Sequence, residues 1–129
     1  MNALHTLLAP IARFLIALIF FVSGINKIFS YAGTQGYMET FNISGGLLPL
    51  VIFIEVFAGL AVIIGWKTRI AASTLAGFSV ISALIFHANF TDQIQFIFFM
   101  KNIGLAGGLL LLVANGSGAY ALDNRVKSE

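Results

Sequence analysis

The sequence predicts an all-α membrane protein, a four-transmembrane-helix bundle with both termini cytoplasmic. Three observations carry that prediction. The 129 residues are 59% hydrophobic and only 9% charged, whereas soluble domains run near a quarter charged, so this chain cannot cover itself for water. Four stretches are apolar enough, and long enough, to cross a hydrocarbon core of about 30 Å, which takes roughly 20 helical residues. Thirteen glycines accompany thirteen phenylalanines, and glycine is commoner in membrane helices than in soluble ones. Residues 1–129 read as a single transmembrane domain.

The first span is expected over 10–29, opening behind Pro10, a residue suited to the first helical position. A cleaved signal peptide is disfavoured. The leading residues carry almost no positive charge, and Val22-Ser23-Gly24 is a poor cleavage site followed quickly by Lys27. A linker, 30–46, follows. Tyr37, Met38 and Phe41 fall on one helical face within it, which allows either a short interfacial helix or a loop. The second span, 47–65, has Gly45-Gly46 as breaker, Pro49 in its first turn and Trp66 as an interface anchor. Lys67-Thr68-Arg69 leads into the third span, 70–88, which carries no formal charge. Asp92 is placed to cap the fourth span, 93–114, where a carboxylate meets the helix dipole favourably. Asn115-Gly116-Ser117-Gly118 ends that helix, and a short polar tail follows.

Four crossings put both termini on one side. Lys67, Arg69, Arg125 and Lys127 lie on that side, with Arg13 close by; the other side has Lys27, Glu39 and Asp92. The positive-inside rule makes the first side cytoplasmic. A net charge of +2 with no basic cluster argues against nucleic acid as a partner. The chain has no cysteine, which excludes disulfide relay, thiolate nucleophiles and Cys-ligated metals. No P-loop, dinucleotide fingerprint or Ser/His/Asp arrangement is present, and three glycosylation triplets are read as chance.

Glu55 is the residue that demands an explanation. Nothing else between Phe41 and Trp66 is ionisable, and a carboxylate inside a membrane helix is costly unless it faces protein or water and has a partner. Counting about 1.5 Å per helical residue puts Glu55 roughly 9–12 Å below the start of its helix and Lys101 about 12 Å below the same surface. Lys101 is therefore the expected partner, with Lys27 second and Arg13 third. His87 sits nearer the surface, and Arg13 lies about 21 Å from Lys27 along one helix face. Each span aligns its polar residues with small ones: Arg13, Ala17, Phe20, Gly24 and Lys27, with Ser23 beside them; Glu55 with Gly59; Ser73, Gly77, Val80, Leu84 and His87; and Lys101, Gly104 and Gly108. Gly104/Gly108 is a GxxxG pair, read as packing inside the bundle rather than a dimer seam.

Blander readings compete. Glu55 and Lys101 serve equally well as a structural ion pair, and Lys27 and Arg13 as residues that snorkel to the headgroups. One carboxylate and one intramembrane His, with lysines competing, make a poor metal site, so no metal is expected. His5 and His87 should lie on opposite sides, which argues against a bis-His haem.

Arg13 and the run Ser23-Gly24-Ile25-Asn26-Lys27 nevertheless form the start of a recognisable ordered set. It continues through Tyr31-Ala32-Gly33-Thr34, Glu55 with Gly59, Thr68-Arg69, Phe86-His87, and Met100-Lys101-Asn102 with Gly107-Gly108. In this the chain resembles the DoxX family of small four-helix bacterial inner-membrane proteins, over nearly its whole length. The resemblance implies a multi-pass protein of the bacterial inner membrane and, more loosely, quinone or redox chemistry with a partner subunit. No self-contained catalytic or redox-cofactor motif accompanies it. The expected site is a polar cluster of Glu55, Lys101, Asn102, Lys27 and His87, with Arg13, Ser23 and Asn26 along the first helix. A quinone-like molecule is the expected ligand. A non-catalytic scaffold or assembly subunit and a small proton-linked transporter are the alternatives, and a homo-oligomer is compatible with each.

Overall fold

The structure, a computed structural model, describes residues 3–127. Six helices follow in order: α1 Ala3–Phe29, α2 Tyr31–Thr40, α3 Gly45–Ile64, α4 Thr68–Phe86, α5 Gln93–Asn115 and α6 Leu122–Lys127. Four of them, α1, α3, α4 and α5, are long and apolar enough to cross a membrane. Helix α1 starts ahead of the expected span, so Pro10 lies inside it rather than at its first turn. Membrane helices tolerate this because neighbouring groups and local adjustment satisfy the freed backbone.

Helix α3 is not uniform. Ser44 Oγ accepts from Gly46 N at 3.2 Å and starts a 3₁₀ turn, Gly45–Leu47. An α-helical stretch with Pro49 in its first turn follows, then a π-helical turn over Ile54–Ala58, then α-helix to Ile64. At its end Gly65 takes a left-handed φ of 76°. A side chain there would strike the Arg13 guanidinium and Ala121 as well as strain the backbone.

The core is built of small residues where helices meet: Ala17 and Phe20 from α1, Ala61 and Val62 from α3, Ala72, Leu75 and Ala76 from α4, Ala106 and Leu109 from α5. Alanine lets backbones approach closely, which is how membrane helices associate when hydrophobicity cannot drive them together. Helix α5 packs mainly on α4. Its other flank, with Phe96, Ile97, Leu110 and Leu111, is exposed, as befits a surface that meets lipid rather than water.

Two expectations need correction. The buried face of α4 is Thr68, Ala71, Ala72, Leu75, Ala76, Ser79 and Ala83; Ser73, Gly77 and Leu84 are exposed. Polarity did not mark the inside of this helix, because Ser73 and Thr74 satisfy their hydroxyls on their own backbone, at Arg69 O (2.7 Å) and Ile70 O (3.0 Å). The GxxxG pair is split: a Cβ on Gly108 would meet Ile16, while one on Gly104 would meet nothing. The short polar tail folds back on the bundle. Gly118 sits against Ala9, and Asp123 N donates to Gly65 O at 2.9 Å. The Asp123 carboxylate accepts from Lys67 N (2.6 Å) and Thr68 N (2.9 Å), capping α4 from across the chain.

Candidate functional site

Between α1, α3, α4 and α5, under the linker, lies a cavity of about 440 Å³. Its walls are mostly aliphatic and aromatic, with Ile19, Leu50, Ile54, Phe78, Ile81 and Leu105 among them. Helix α2 and the following turn contribute Thr34, Tyr37, Met38 and Ile43. The linker is thus helical and forms part of the cavity wall. It is held by an aromatic trio: Tyr37 stacks on Phe86 at 5.5 Å, and Phe41 contacts both rings. Met38 beside them is buried.

Glu55 sits in the π turn of α3 and is only 3% exposed. Its partner is Lys27, with Nζ 2.7 Å from Oε1. The same ammonium donates to Ser23 Oγ at 2.6 Å. Lys101, the expected partner, makes no such contact. The depth count failed because equal depth does not make two helices neighbours: α3 packs on α1 and hardly meets α5. Side chains lean toward the N-terminus of their helix. Helix α1 approaches the linker with its C-terminal end, so Lys27 leans inward. Helix α3 leaves the linker with its N-terminal end, so Glu55 leans outward, and the two meet. Helix α5 runs in the same sense as α3, so Lys101 also leans outward, and its Nζ lies 5.0 Å from the Phe98 ring one turn back. Gly24 sharpens the meeting of α1 and α3. A Cβ there would lie 2.6 Å from Val56 Cγ2 and 3.1 Å from Glu55 Cβ, so only glycine lets α1 press on the π turn.

Lys101, Asn102 and His87 line the same cavity as Lys27, Ser23 and Glu55. His87 Nδ1 is 2.7 Å from Gln95 Oε1, and its ring meets the edge of Phe98. Asn26 does not line this cavity; it borders an adjoining hollow with Ser30, and Ser23, Lys27 and Thr34 line both. Arg13 belongs to the other end of the molecule. It is fully buried, and its Nη2 donates to Ala119 O and Tyr120 O, both at 2.9 Å. Ser79 was missed by sequence reasoning. It lines the cavity at 2% exposure, and its hydroxyl has no partner among the described residues. The alanines at 71, 72, 76 and 83 were the signal that marked its face. No group of three His, Cys, Asp or Glu is gathered among the described residues.

This arrangement can hold a molecule with a polar head and an apolar body. Its polar groups stand on rigid helices, and most of the surrounding surface is hydrocarbon.

Comparison with known proteins agrees with the architecture. The DoxX family model matches residues 8–88, which span α1 to α4 and end before Lys101 and Asn102. Inner membrane protein YqjF of Escherichia coli (strain K12) is 45% identical, over 88% of this chain and 87% of its own length. Inner membrane protein YphA of the same organism is 32% identical, over 96% of this chain and 94% of its own. No solved structure matches. With the four spans and the relatives in agreement, the chain belongs to the DoxX family, as a multi-pass protein of the bacterial inner membrane.

Proposed function

We propose that the protein binds a small amphipathic molecule between its helices, quinone-like in joining a compact polar head to an apolar body. The cavity carries this reading: about 440 Å³ of largely apolar space into which Lys27, Glu55, His87, Lys101 and Asn102 all face. Ligand sites of this kind are concave, mostly apolar, and oriented by a few polar groups. A quinone suits the donor set, because its carbonyl oxygens accept hydrogen bonds and Lys27, Lys101, Asn102 and Ser79 can donate them. Bound there, it would supply reversible two-electron redox chemistry, with the Lys27–Glu55 pair beside it to hold or yield a proton. A place in a redox or oxidative-stress-linked complex, beside a partner subunit, rests on the DoxX resemblance.

The test is direct. The protein is purified in mild detergent, its extract is examined for quinone by mass spectrometry, and thermal unfolding is followed with and without added quinone. Co-purified quinone, or stabilisation on addition, is the expected result. Finding neither would sink this reading and favour a non-catalytic scaffold, in which the ion pair only fixes the bundle.

A further inference from the structure

We infer that the head of the bound molecule is an acid, a carboxylate or a phosphate monoester, recognised by Lys101 with Asn102 and Ser79. This rests on the reading that the cavity binds an amphipathic molecule, and it adds the charge that the molecule carries.

The first argument is charge. The acidic and basic side chains lining the cavity are Lys27, Glu55, His87 and Lys101. Lys27 is compensated by Glu55, and His87 is engaged with Gln95. Among the lysines and carboxylates, one positive charge remains, that of Lys101. Its Nζ faces the Phe98 ring at 5.0 Å, and no carboxylate among the described residues pairs with it. A ring face attracts a cation but does not neutralise it. Lys101 is exposed, but it lies within the membrane-spanning stretch of α5, where an ammonium without a counter-ion is costly. An anion supplied by the ligand removes that cost; a neutral head does not.

The second argument is the Ser79 hydroxyl. Ser73 and Thr74, on the same helix, bond back to their own backbone carbonyls. Ser79 does not, and neither does Thr68 at the start of the helix; of these two buried, unpartnered hydroxyls, Ser79 is the one that lines the cavity. A buried hydroxyl without a partner costs stability and needs an explanation. Here the explanation is a hydrogen bond to the ligand.

The third argument is placement. Helices α4 and α5 form an antiparallel hairpin and pack closely on each other. The unpartnered hydroxyl, the uncompensated ammonium and the Asn102 amide all line the one cavity. An oxyacid has enough lone pairs for all three donors, and a bond from a charged donor to a charged acceptor is the strong kind. The aliphatic walls take the tail.

The experiment titrates the full-length protein, in a non-ionic detergent, with dodecanoate, dodecyl phosphate, dodecanol and a short-chain ubiquinone, by calorimetry. At least one acid should bind about tenfold or more tighter than dodecanol. Lys101→Met should shrink that preference to about threefold or less, Lys101→Arg should keep it, and Ser79→Ala should weaken acid binding several-fold. Preference for dodecanoate identifies a free fatty acid as the source of the head, and preference for dodecyl phosphate a phosphatidate-type monoester head; either supports the inference. Dodecanol binding as tightly as the acids overturns it, as does a Lys101→Met protein that keeps the full preference. Ubiquinone binding without any acid preference overturns it and leaves the proposed function standing. Failure of all four ligands overturns both. If Lys101→Met does not fold, the acid–alcohol comparison on the unaltered protein decides alone.

Discussion

The two ends of the bundle bury charge in opposite ways. At one end Arg13 is enclosed by the returning tail and bonded to Ala119 and Tyr120, with Gly65 pressed against its guanidinium. At the other, Lys27 and Glu55 border a cavity of about 440 Å³, beside a lysine without an acid and a serine without a partner. The first charge is engaged at Nη2 by two backbone carbonyls in a closely fitted site, while its Nε and Nη1 are buried without a hydrogen-bond partner among the described residues. The second cluster lines a cavity. The difference separates a charge that the folded-back tail encloses from charges that border open space.

The strongest test of this contrast is Arg13→Met. It leaves two part-buried carbonyls without their donor and removes the packing of a fully buried side chain, and the expected loss is about 2–4 kcal/mol, read as a large fall in thermal unfolding temperature. Whatever folded protein survives should bind cavity ligands with near-normal affinity. A variant that kept its stability but lost the ligand would erase the distinction between the two ends.

A smaller effect is expected for Glu55→Gln, about 1–3 kcal/mol, because Lys27 retains some exposure with which to relieve its lost partner. Adding Lys27→Met should restore most of that stability while ligand binding stays impaired. Thermal unfolding and a binding titration on the same preparations check both halves. If the double variant binds normally, the pair is structural and the contrast fails at its functional end.

The smallest effect belongs to Asp123→Ala. It removes a cap from α4, and caps contribute about 0.5–2 kcal/mol. Increased hydrogen exchange confined to the first turn of α4 is the expected signature. Unchanged protection there would show that the tail does not hold α4 in place.

Much of the architecture was legible because its cause is local. A hydrocarbon solvent demands long apolar helices, and hydropathy alone finds α1, α3, α4 and α5. The polar residues around the cavity were legible for the same reason, since Glu55, Lys27, Lys101 and His87 are costly exceptions to an apolar rule. Their pairing was not, because it depends on the lean of each side chain and on Gly24, which brings α1 against the π turn. Ser79 was hidden because a hydroxyl in a membrane helix has its own backbone as an alternative partner, so its mere presence says nothing about which way it faces. The bonds from Arg13 to Ala119 and Tyr120 join opposite parts of the sequence. No periodicity in either part announces them.

The π turn over Ile54–Ala58 has a consequence for the phase of α3. Such a turn holds about one residue more than the α-helical ladder, which is 3.6 residues per turn. The stretch before it and the stretch after it are thus indexed independently, offset by about 100°. The linker-side stretch can bring Glu55 to Lys27 while the far stretch brings Gly59, Ala61 and Val62 to their neighbours. An unbroken helix would have a single phase to serve both ends, and the carboxylate and the packing face would have to compete for it.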